Sequence, residues 1–379
     1  MHVGHRSQRL TNRRPGKAGG VDERRLMNCN GMGHVLGQRT LDWDRGQVLI
    51  IDQTRLPADE VVLRLDTVAE LVEAIARLAV RGAMALGVAG ALGVALAARA
   101  AEAAGEDVQR ATEEAARQLI AVRPTAANLS WGVERALAAS AGGADAVLAE
   151  ALRIRDADVE ANRRIGELGA DVLAGSSRLL THCNAGALAA VEWGSALATV
   201  RVLHERAGPV EVLVSETRPL LQGARLTAWE LARMGIAHQV IVDGAGAGLI
   251  LGGRVDAVIV GADRIAANGD VANKVGTLPH ALAAAHADVP FVVAAPEATI
   301  DLRTPTGADI EIEERDPEEV LVIDGRRTAP PGTGALNPAF DVTPAALVTA
   351  IVTEQRVLRP ALGERPDAAS PEPRPGGST

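Results

Sequence analysis

A change of sequence pattern near residue 175 constrains the fold more than any other feature of the chain. After this point short apolar runs recur, and a turn with Gly or Pro and then a helical segment follow each run. The runs are RLLTHC (178–183), VEVLVS (210–215), HQVIVD (238–243), VDAVIVG (255–261) and VPFVVAA (289–295). Strands that alternate with helices run parallel, because each helix returns the chain across the sheet. The pattern predicts a Rossmann-like domain with a mostly parallel sheet.

The preceding part of the chain, from about residue 68 to 172, has helical periodicity. Within it, residues 82–98 carry no charge over 17 positions. A membrane span needs about 20 strongly apolar residues, whereas this segment is mostly Ala and Gly and lies between Arg81 and Arg99. We expect a buried, closely packed helix. The fold class is therefore α/β, with a mainly helical N-terminal domain at 40–172 and a Rossmann-like domain at 173–359.

Both ends of the chain have the composition of disordered segments. Residues 1–39 are rich in Arg, Gly and Asn and hold eight basic and two acidic residues. They contain no apolar stretch of the length that a secretory signal needs, so we expect a disordered basic extension, or a start at Met27 or Met32. Residues 360–379 are rich in Pro, Gly, Ser and Glu and are expected to be a disordered tail.

Charge and cysteine content exclude several classes of function. The net charge is −9 although the N-terminal extension is basic, and an acidic body without a basic stripe is a poor nucleic-acid binder. The only cysteines are Cys29 and Cys183, too few for a disulfide framework or a cysteine-rich metal site. We expect a cytoplasmic protein with no nucleic-acid or membrane partner.

Unusual residues follow the predicted strands. In open α/β sheets, ligands bind beyond the carboxyl ends of the strands. Cys183 ends the first run, Asp263 follows the fourth, and Lys274 comes eleven residues later in the segment GDVANK, which we expect to be a loop. A helix is expected just after Gly186. Its positive end, with His182, would favour the thiolate of Cys183.

Each of these residues also has an ordinary interpretation. A lone cysteine is more often a small buried hydrophobe than a nucleophile, and a strand-end Asp such as Asp263 is often a helix cap. Asn273 and Lys274 could be solvated. However, only two of the 39 basic residues are lysines, which favours a site for Lys274 that needs a compact ammonium.

Two arginines in the helical domain are further candidates. Arg81-Gly82-Ala83 and Arg123-Pro124-Thr125 lie at breaks between helical runs. An Arg beside Gly presents its guanidinium and free backbone N–H groups to a phosphate, although a helix-terminal Arg can equally bond to carbonyls.

A competing dinucleotide-binding pattern is weak. HQVIVDGAGAGLI has glycines at 244, 246 and 248, but Leu249 stands where the third glycine is expected. We therefore do not expect nicotinamide binding.

Several segments together resemble the methylthioribose-1-phosphate isomerase family, from about Leu41 to Leu358. This family shares a superfamily with the alpha, beta and delta regulatory subunits of the exchange factor for translation initiation factor two. The segments include RGA (81–83), RPTAANLSWGVER (123–135), THCNAGALA (181–189), SETRPLLQGARLTAWEL (215–231), GADRIAANGDVANKVGT (261–277) and IEERDPEEV (312–320).

The resemblance implies roles for particular residues. Cys183 and Asp263 would be the catalytic pair, and the sugar-phosphate site would comprise Arg81, Gly82, Ala83, Arg123, Gln222, Asn273 and Lys274. It also implies a homodimer, with no metal and no organic cofactor. The chain departs from the family pattern at Met84, at Val191-Glu192-Trp193 and at Ser215, beside the expected pocket.

The function implied is isomerisation of 5-methylthioribose 1-phosphate, an aldose, to the ketose 5-methylthioribulose 1-phosphate in methionine salvage. The alternatives are isomerisation of 5-deoxyribose 1-phosphate or ribose 1,5-bisphosphate, or a non-catalytic regulatory subunit.

Overall fold

The computed structural model describes residues 39–124 and 126–367 and the backbone of Met27–Asn28. The described N-terminal part begins with a four-stranded antiparallel sheet, in the order β1-β4-β3-β2. Its strands are β1 (Met27–Asn28), β2 (Leu41–Asp44), β3 (Gln47–Ile51) and β4 (Val61–Leu65). The sequence prediction of a mainly helical region did not include this sheet.

Five helices follow the sheet: α1 (Val68–Ala76), α2 (Ala83–Ala104), α3 (Val108–Val122), α4 (Ala127–Leu137) and α5 (Gly143–Val172). A capping box at the start of α1 joins Thr67 and Glu70, whose side chains each bond to the other residue's backbone N–H. The helices pack on β3 and β4 around one apolar core.

Helix α2 is the centre of that core. It is long and apolar enough to cross a membrane, alone among the helices of the described residues, but it packs against α3, α4 and α5 and is mostly buried. Its small residues permit very close packing, since a Cβ on Gly132 of α4 would overlap the carbonyl oxygen of Gly87. The prediction of a buried, closely packed helix is confirmed.

The second half of the described chain holds the remaining strands and helices. The strands are β5 (Arg178–Thr181), β6 (Glu211–Ser215), β7 (Ala237–Ile241), β8 (Ala257–Val260), β9 (Arg264–Ala266), β10 (Val271–Lys274), β11 (Phe291–Ala294), β12 (Ile300–Asp301), β13 (Val322–Ile323), β14 (Arg326–Arg327), β15 (Phe340–Thr343), β16 (Ala350–Val352) and β17 (Val357–Leu358). The helices are α6 (Ala196–Ala207), α7 (Ala228–Arg233), α8 (Gly246–Leu251), α9 (Thr277–His286) and α10 (Glu318–Leu321).

Seven of these strands form one sheet, in the order β17-β16-β11-β8-β5-β6-β7. All neighbours pair in parallel except β16 and β17. From β5 the chain moves outward through β6 to β7, and then returns to the other side of β5 with β8. This is the doubly wound order, with its switch point between β5 and β8. The α/β class predicted from the five apolar runs is confirmed.

A smaller sheet, in the order β12-β9-β10-β15, lies beyond the carboxyl end of β8. Strand β10 pairs with β9 on one side and β15 on the other. The prediction of a loop at GDVANK was therefore wrong: Asn273 and Lys274 belong to β10 and pair with Asp341 and Phe340. A strand with two neighbours places these side chains more firmly than a loop would.

The expected domain boundaries fall near residues 172 and 360. Helix α5 ends at Val172, but it packs on α6 and so joins both halves; the division at 172/173 stays a prediction. The predicted C-terminal tail begins too early, because Pro360 is buried and Arg359 N–H donates to Glu364 (2.7 Å). Residues 368–379 and, apart from β1 and Arg39, the basic extension at 1–39 lie outside the described residues.

We predict that Gly132→Ala destabilises the fold, because the new methyl group must force the backbones of α2 and α4 apart. Overpacking of this kind costs about 1–3 kcal/mol or more. The matched control is Gly248→Ala in α8, where a Cβ meets no atom within 4 Å and Ala should gain up to about 1 kcal/mol. Urea unfolding measures both variants; equal stability of Gly132→Ala and the wild type would contradict the packing described for α2.

Candidate active site

A cavity of about 150 Å³ lies at the switch point between β5 and β8. It is lined from both halves of the chain. All nine residues predicted for the site lie in its wall: Arg81, Gly82, Ala83, Arg123, Cys183, Gln222, Asp263, Asn273 and Lys274.

Cys183 follows β5 in a backbone conformation that is uncommon for a residue other than glycine, with φ of +63°. Two threonines hold it there. Its N–H donates to Thr217 Oγ1 (2.9 Å), and its carbonyl accepts from Thr227 Oγ1 (2.6 Å). Such a conformation persists only where its surroundings fix it, and these bonds aim the thiol into the cavity.

The expected activation of this thiol by a helix was wrong. Only a short 3₁₀ turn, Ala187–Ala189, follows Gly186, and α6 does not begin until Ala196. Burial raises the pKa of the Cys183 thiol, against the opposing charges of Arg81 and Lys274. The free protein therefore holds a protonated thiol at neutral pH.

His182 adds no positive charge to the site. Its ring is buried and its Nε2 donates to the carbonyl of Val275 (2.8 Å). Burial lowers the pKa of His182, so the imidazole is neutral. It packs edge-on against His280, with ring centroids 5.3 Å apart.

Asp263 faces Cys183 across the switch point, three residues after β8. Its N–H donates to Ala272 O (3.0 Å). Strand β9, not a helix, follows it, so the interpretation of Asp263 as a helix cap was wrong. The side chain is exposed to the cavity, yet protein surrounds the cavity, and this loss of hydration raises the pKa of the carboxyl. The charges of Lys274, Arg81 and Arg123 oppose the shift.

Three of the predicted residues are cations that line the same cavity. Arg81 Nη2 donates to Asn184 Oδ1 (3.0 Å), while its buried Nε has no hydrogen-bond partner among the described residues. Arg123 is the C-terminal cap residue of α3. Burial lowers the pKa of the guanidinium groups of Arg81 and Arg123. Lys274 Nζ donates to Ala339 O (2.6 Å) and lies 4.7 Å from the centroid of the Phe340 ring. Partly desolvated cations of this kind favour an anion between them.

The remaining predicted residues complete the wall. Gly82 caps the N-terminus of α2 and Ala83 is its first residue, so the start of this helix lies in the cavity wall. Gln222 is buried just before a π-helical turn, Gly223–Thr227, and within the described chain its Oε1 lacks a hydrogen-bond partner. Asn273 Nδ2 donates to Thr277 Oγ1 (3.0 Å).

Sequence reasoning missed other residues of the wall. Glu313 and Arg315 form an ion pair (3.1 Å) in the segment IEERDPEEV, and Asn184 and Phe340 also line the cavity. Arg315 is further held by Glu319 (2.6 Å). In the sequence, the only indication of Glu313 and Arg315 was that their segment matches the family pattern, and this match assigned them no function.

Within 39–124 and 126–367, no three His, Cys, Asp or Glu side chains lie close enough together to bind a metal ion.

Known proteins similar to this chain identify its family. The pattern of the Initiation factor 2 subunit family matches residues 79–360, and the chain belongs to this family of α/β proteins. It is 55% identical over 315 residues to the methylthioribose-1-phosphate isomerase of Anaeromyxobacter dehalogenans (strain 2CP-C), covering 83% of this chain and 91% of that one.

Two further proteins are also similar. The 5-deoxyribose 1-phosphate isomerase of Moorella thermoacetica is 50% identical over 331 residues, covering 84% of this chain and 94% of that protein. The crystal structure of 5-methylthioribose 1-phosphate isomerase from Pyrococcus horikoshii OT3 superposes with a TM-score of 0.80 at 41% identity, covering 85% and 92% of the two chains.

We predict that Cys183 reacts with iodoacetamide slowly at neutral pH, since only the thiolate is nucleophilic. Because burial raises the thiol pKa, the rate should reach half its maximum at a higher pH than for glutathione measured in parallel. A Cys29→Ser background leaves one thiol to follow by mass spectrometry. A midpoint at or below that of glutathione would instead indicate an activated thiolate.

Proposed function

We propose that this protein isomerises 5-methylthioribose 1-phosphate to 5-methylthioribulose 1-phosphate, a step of methionine salvage. The observation that carries the proposal is the cavity at the switch point, whose wall contains a thiol, a carboxyl and the cations Arg81, Arg123 and Lys274. The similarity to isomerases of sugar 1-phosphates supports it.

The chemistry of such a substrate explains the need for an acid. The phosphate blocks the anomeric oxygen, so the ring cannot open by simple loss of a hydroxyl proton. A group must donate a proton to the ring oxygen and later accept one. A carboxyl with a raised pKa, such as Asp263, suits both steps, and substrate binding should raise its pKa further by expelling water.

Cys183 is proposed to assist the transfer of hydrogen from C2 to C1. The reaction oxidises C2 and reduces C1 within one molecule, so its atoms and electrons balance without a cofactor. If the hydrogen moves as a proton through an enediol, Cys183 must first lose its own proton in the substrate complex; the thiolate then takes the proton from C2 and returns it to C1. If the hydrogen moves as hydride, the side chain of Cys183 stabilises charge. Incorporation of deuterium at C1 in deuterated water distinguishes the two routes.

The cations are proposed to bind the phosphate dianion. Arg81, Arg123 and Lys274 supply the positive charge, and the N–H groups at Gly82 and Ala83 add the positive end of α2. Gln222 and Asn273 are proposed to bond to the sugar hydroxyls or the phosphate. These contacts give an acidic protein a local site for an anion.

The cavity wall favours an apolar 5-substituent over a second phosphate. Leu78, Met84 and Leu220 contribute apolar surface. The additional cation in the wall, Arg315, is already paired with carboxylates. This supports a methylthio or deoxy substrate over ribose 1,5-bisphosphate.

The alternative function from another class is that of a non-catalytic regulatory subunit, which has the same fold and senses a ligand. The family name includes such subunits. A thiol and a carboxyl with raised pKa values in one cavity have no use in a sensor, and this pairing favours the enzyme.

An NMR time course with 5-methylthioribose 1-phosphate, 5-deoxyribose 1-phosphate and ribose 1,5-bisphosphate tests the function. We expect fastest conversion of the methylthio sugar. Cys183→Ser and Asp263→Asn should each lower kcat by about 10²-fold or more, and Cys29→Ser, the matched control, should leave it unchanged. No conversion of any sugar would favour the regulatory subunit, and near wild-type turnover by both site variants would contradict their catalytic roles.

We further propose a cytoplasmic homodimer of two-domain chains, divided at 172/173. Support for the dimer comes from the edge of the large sheet, where one side of β7 pairs with no other strand among the described residues. Val240 on β7, Leu251 on α8 and Leu282 on the neighbouring α9 expose 45%, 54% and 52% of their surfaces. Exposed apolar side chains on adjoining elements are typical of an interface.

Light scattering after size exclusion tests the dimer. The double variant Val240→Asp, Leu251→Asp should be monomeric, because burying carboxylates at an apolar interface is costly. Leu336→Asp, at a side chain that is 87% exposed outside this edge, is the control and should remain dimeric. A monomeric wild type at micromolar concentration would refute the proposal.

A further inference from the structure

Glu230 is a buried carboxylate with no role in the proposed chemistry. It lies on α7 and is 6% exposed. Both of its oxygens accept hydrogen bonds: Oε2 from Ala187 N–H (2.6 Å), and Oε1 from Asn184 Nδ2 (2.7 Å) and Leu188 N–H (3.4 Å). A buried carboxylate with this many donors is a fixed anchor.

The segment it anchors begins with Cys183. The backbone wraps so closely around the carboxylate that a Cβ on Gly186 would overlap its oxygens. Thr227, on the turn before α7, accepts from Asn184 Nδ2 (3.2 Å) and donates to Cys183 O. Helix α7 and the turn before it thus hold both ends of the segment 183–188.

Asn184 links this anchor to the phosphate site. Its amide nitrogen faces Glu230, so its oxygen is turned to Arg81 and accepts from Nη2 (3.0 Å). Burial raises the pKa of Glu230, and the N–H donors around it oppose that shift. Because its oxygens accept every hydrogen bond described for them, the contacts are those of a carboxylate, and Asn184 joins this carboxylate to a buried cation. An amide between a carboxylate and a guanidinium satisfies both and orients each.

We propose that Glu230 is a positioning residue for the isomerase, which fixes Arg81 through Asn184 and fixes the Cys183 segment through the backbone at Ala187 and Leu188. The role rests on the proposed function of the cavity. It acts on both halves of the site, since Arg81 precedes α2 and Cys183 follows β5.

A pair of substitutions tests the order of these groups. Glu230→Gln leaves one acceptor where two are needed, and Asn184→Asp puts two carboxylates face to face. In the double variant the amide nitrogen at position 230 donates to the carboxylate at position 184, and the amide oxygen accepts from Ala187 N–H. The second oxygen of the carboxylate at position 184 is then available to accept from Arg81. The total charge is then that of the wild type.

We expect each single substitution to lower kcat/KM by about tenfold or more, as for loss of a charged hydrogen bond. The double variant should recover most of that loss. Glu205→Gln, at an exposed carboxylate of α6 paired with Arg201 (2.9 Å), is the matched control and should behave as wild type. Effects that add in the double variant, or a lower Tm with unchanged kcat/KM, would overturn the positioning role.

Crystal structures of Glu230→Gln and of the double variant test the same proposal without turnover. In Glu230→Gln, Arg81 Nη2 should move away from its wild-type position beside residue 184. In the double variant it should return to that position. Arg81 in its wild-type position in Glu230→Gln would overturn the proposal. Because this result needs no activity, failure of the proposed isomerase function is distinguishable from failure of the role of Glu230.

Discussion

The order of strands in the large sheet is the constraint on which the site depends. Because β6 and β8 pair with opposite sides of β5, the segments after β5 and β8 diverge and leave a crevice between them. Cys183 and Asp263 occupy those two segments. The helical half closes the crevice with Arg81 and Arg123, so residues about 180 positions apart meet in one cavity. The reacting groups come from the sheet, and much of the positive charge comes from the helices.

Desolvation links the properties of the groups in this cavity. It raises the pKa of the Cys183 thiol and of the Asp263 carboxyl and lowers that of Arg81. Each shift favours the neutral form, and in the free protein the charges of opposite sign oppose it. A bound phosphate dianion neutralises the charge of the buried cations, and a bound sugar ring excludes water from the carboxyl of Asp263. The site is therefore more stable with substrate bound than without it. In the free protein Glu230 holds Arg81 in place through Asn184.

The large sheet was predictable because its buried parallel strands are continuous apolar runs. The N-terminal sheet and β10 were not, because short strands leave little periodicity and GDVANK is polar. The position of Cys183 followed from strand ends, but its protonation state did not: that depends on burial, and on a turn where a helix was expected. Glu230 could not be found from sequence, since its partners at 184–188 lie more than 40 residues away.

The most direct test of the site is a crystal structure of the Cys183→Ser variant with 5-methylthioribose 1-phosphate bound. The phosphate should contact Arg81, Arg123 and Lys274, and C1 and C2 should lie between residue 183 and the carboxyl of Asp263. The methylthio group should face the apolar wall at Leu78 and Leu220. A sugar bound outside this cavity, or with its phosphate away from the three cations, would contradict the central claim.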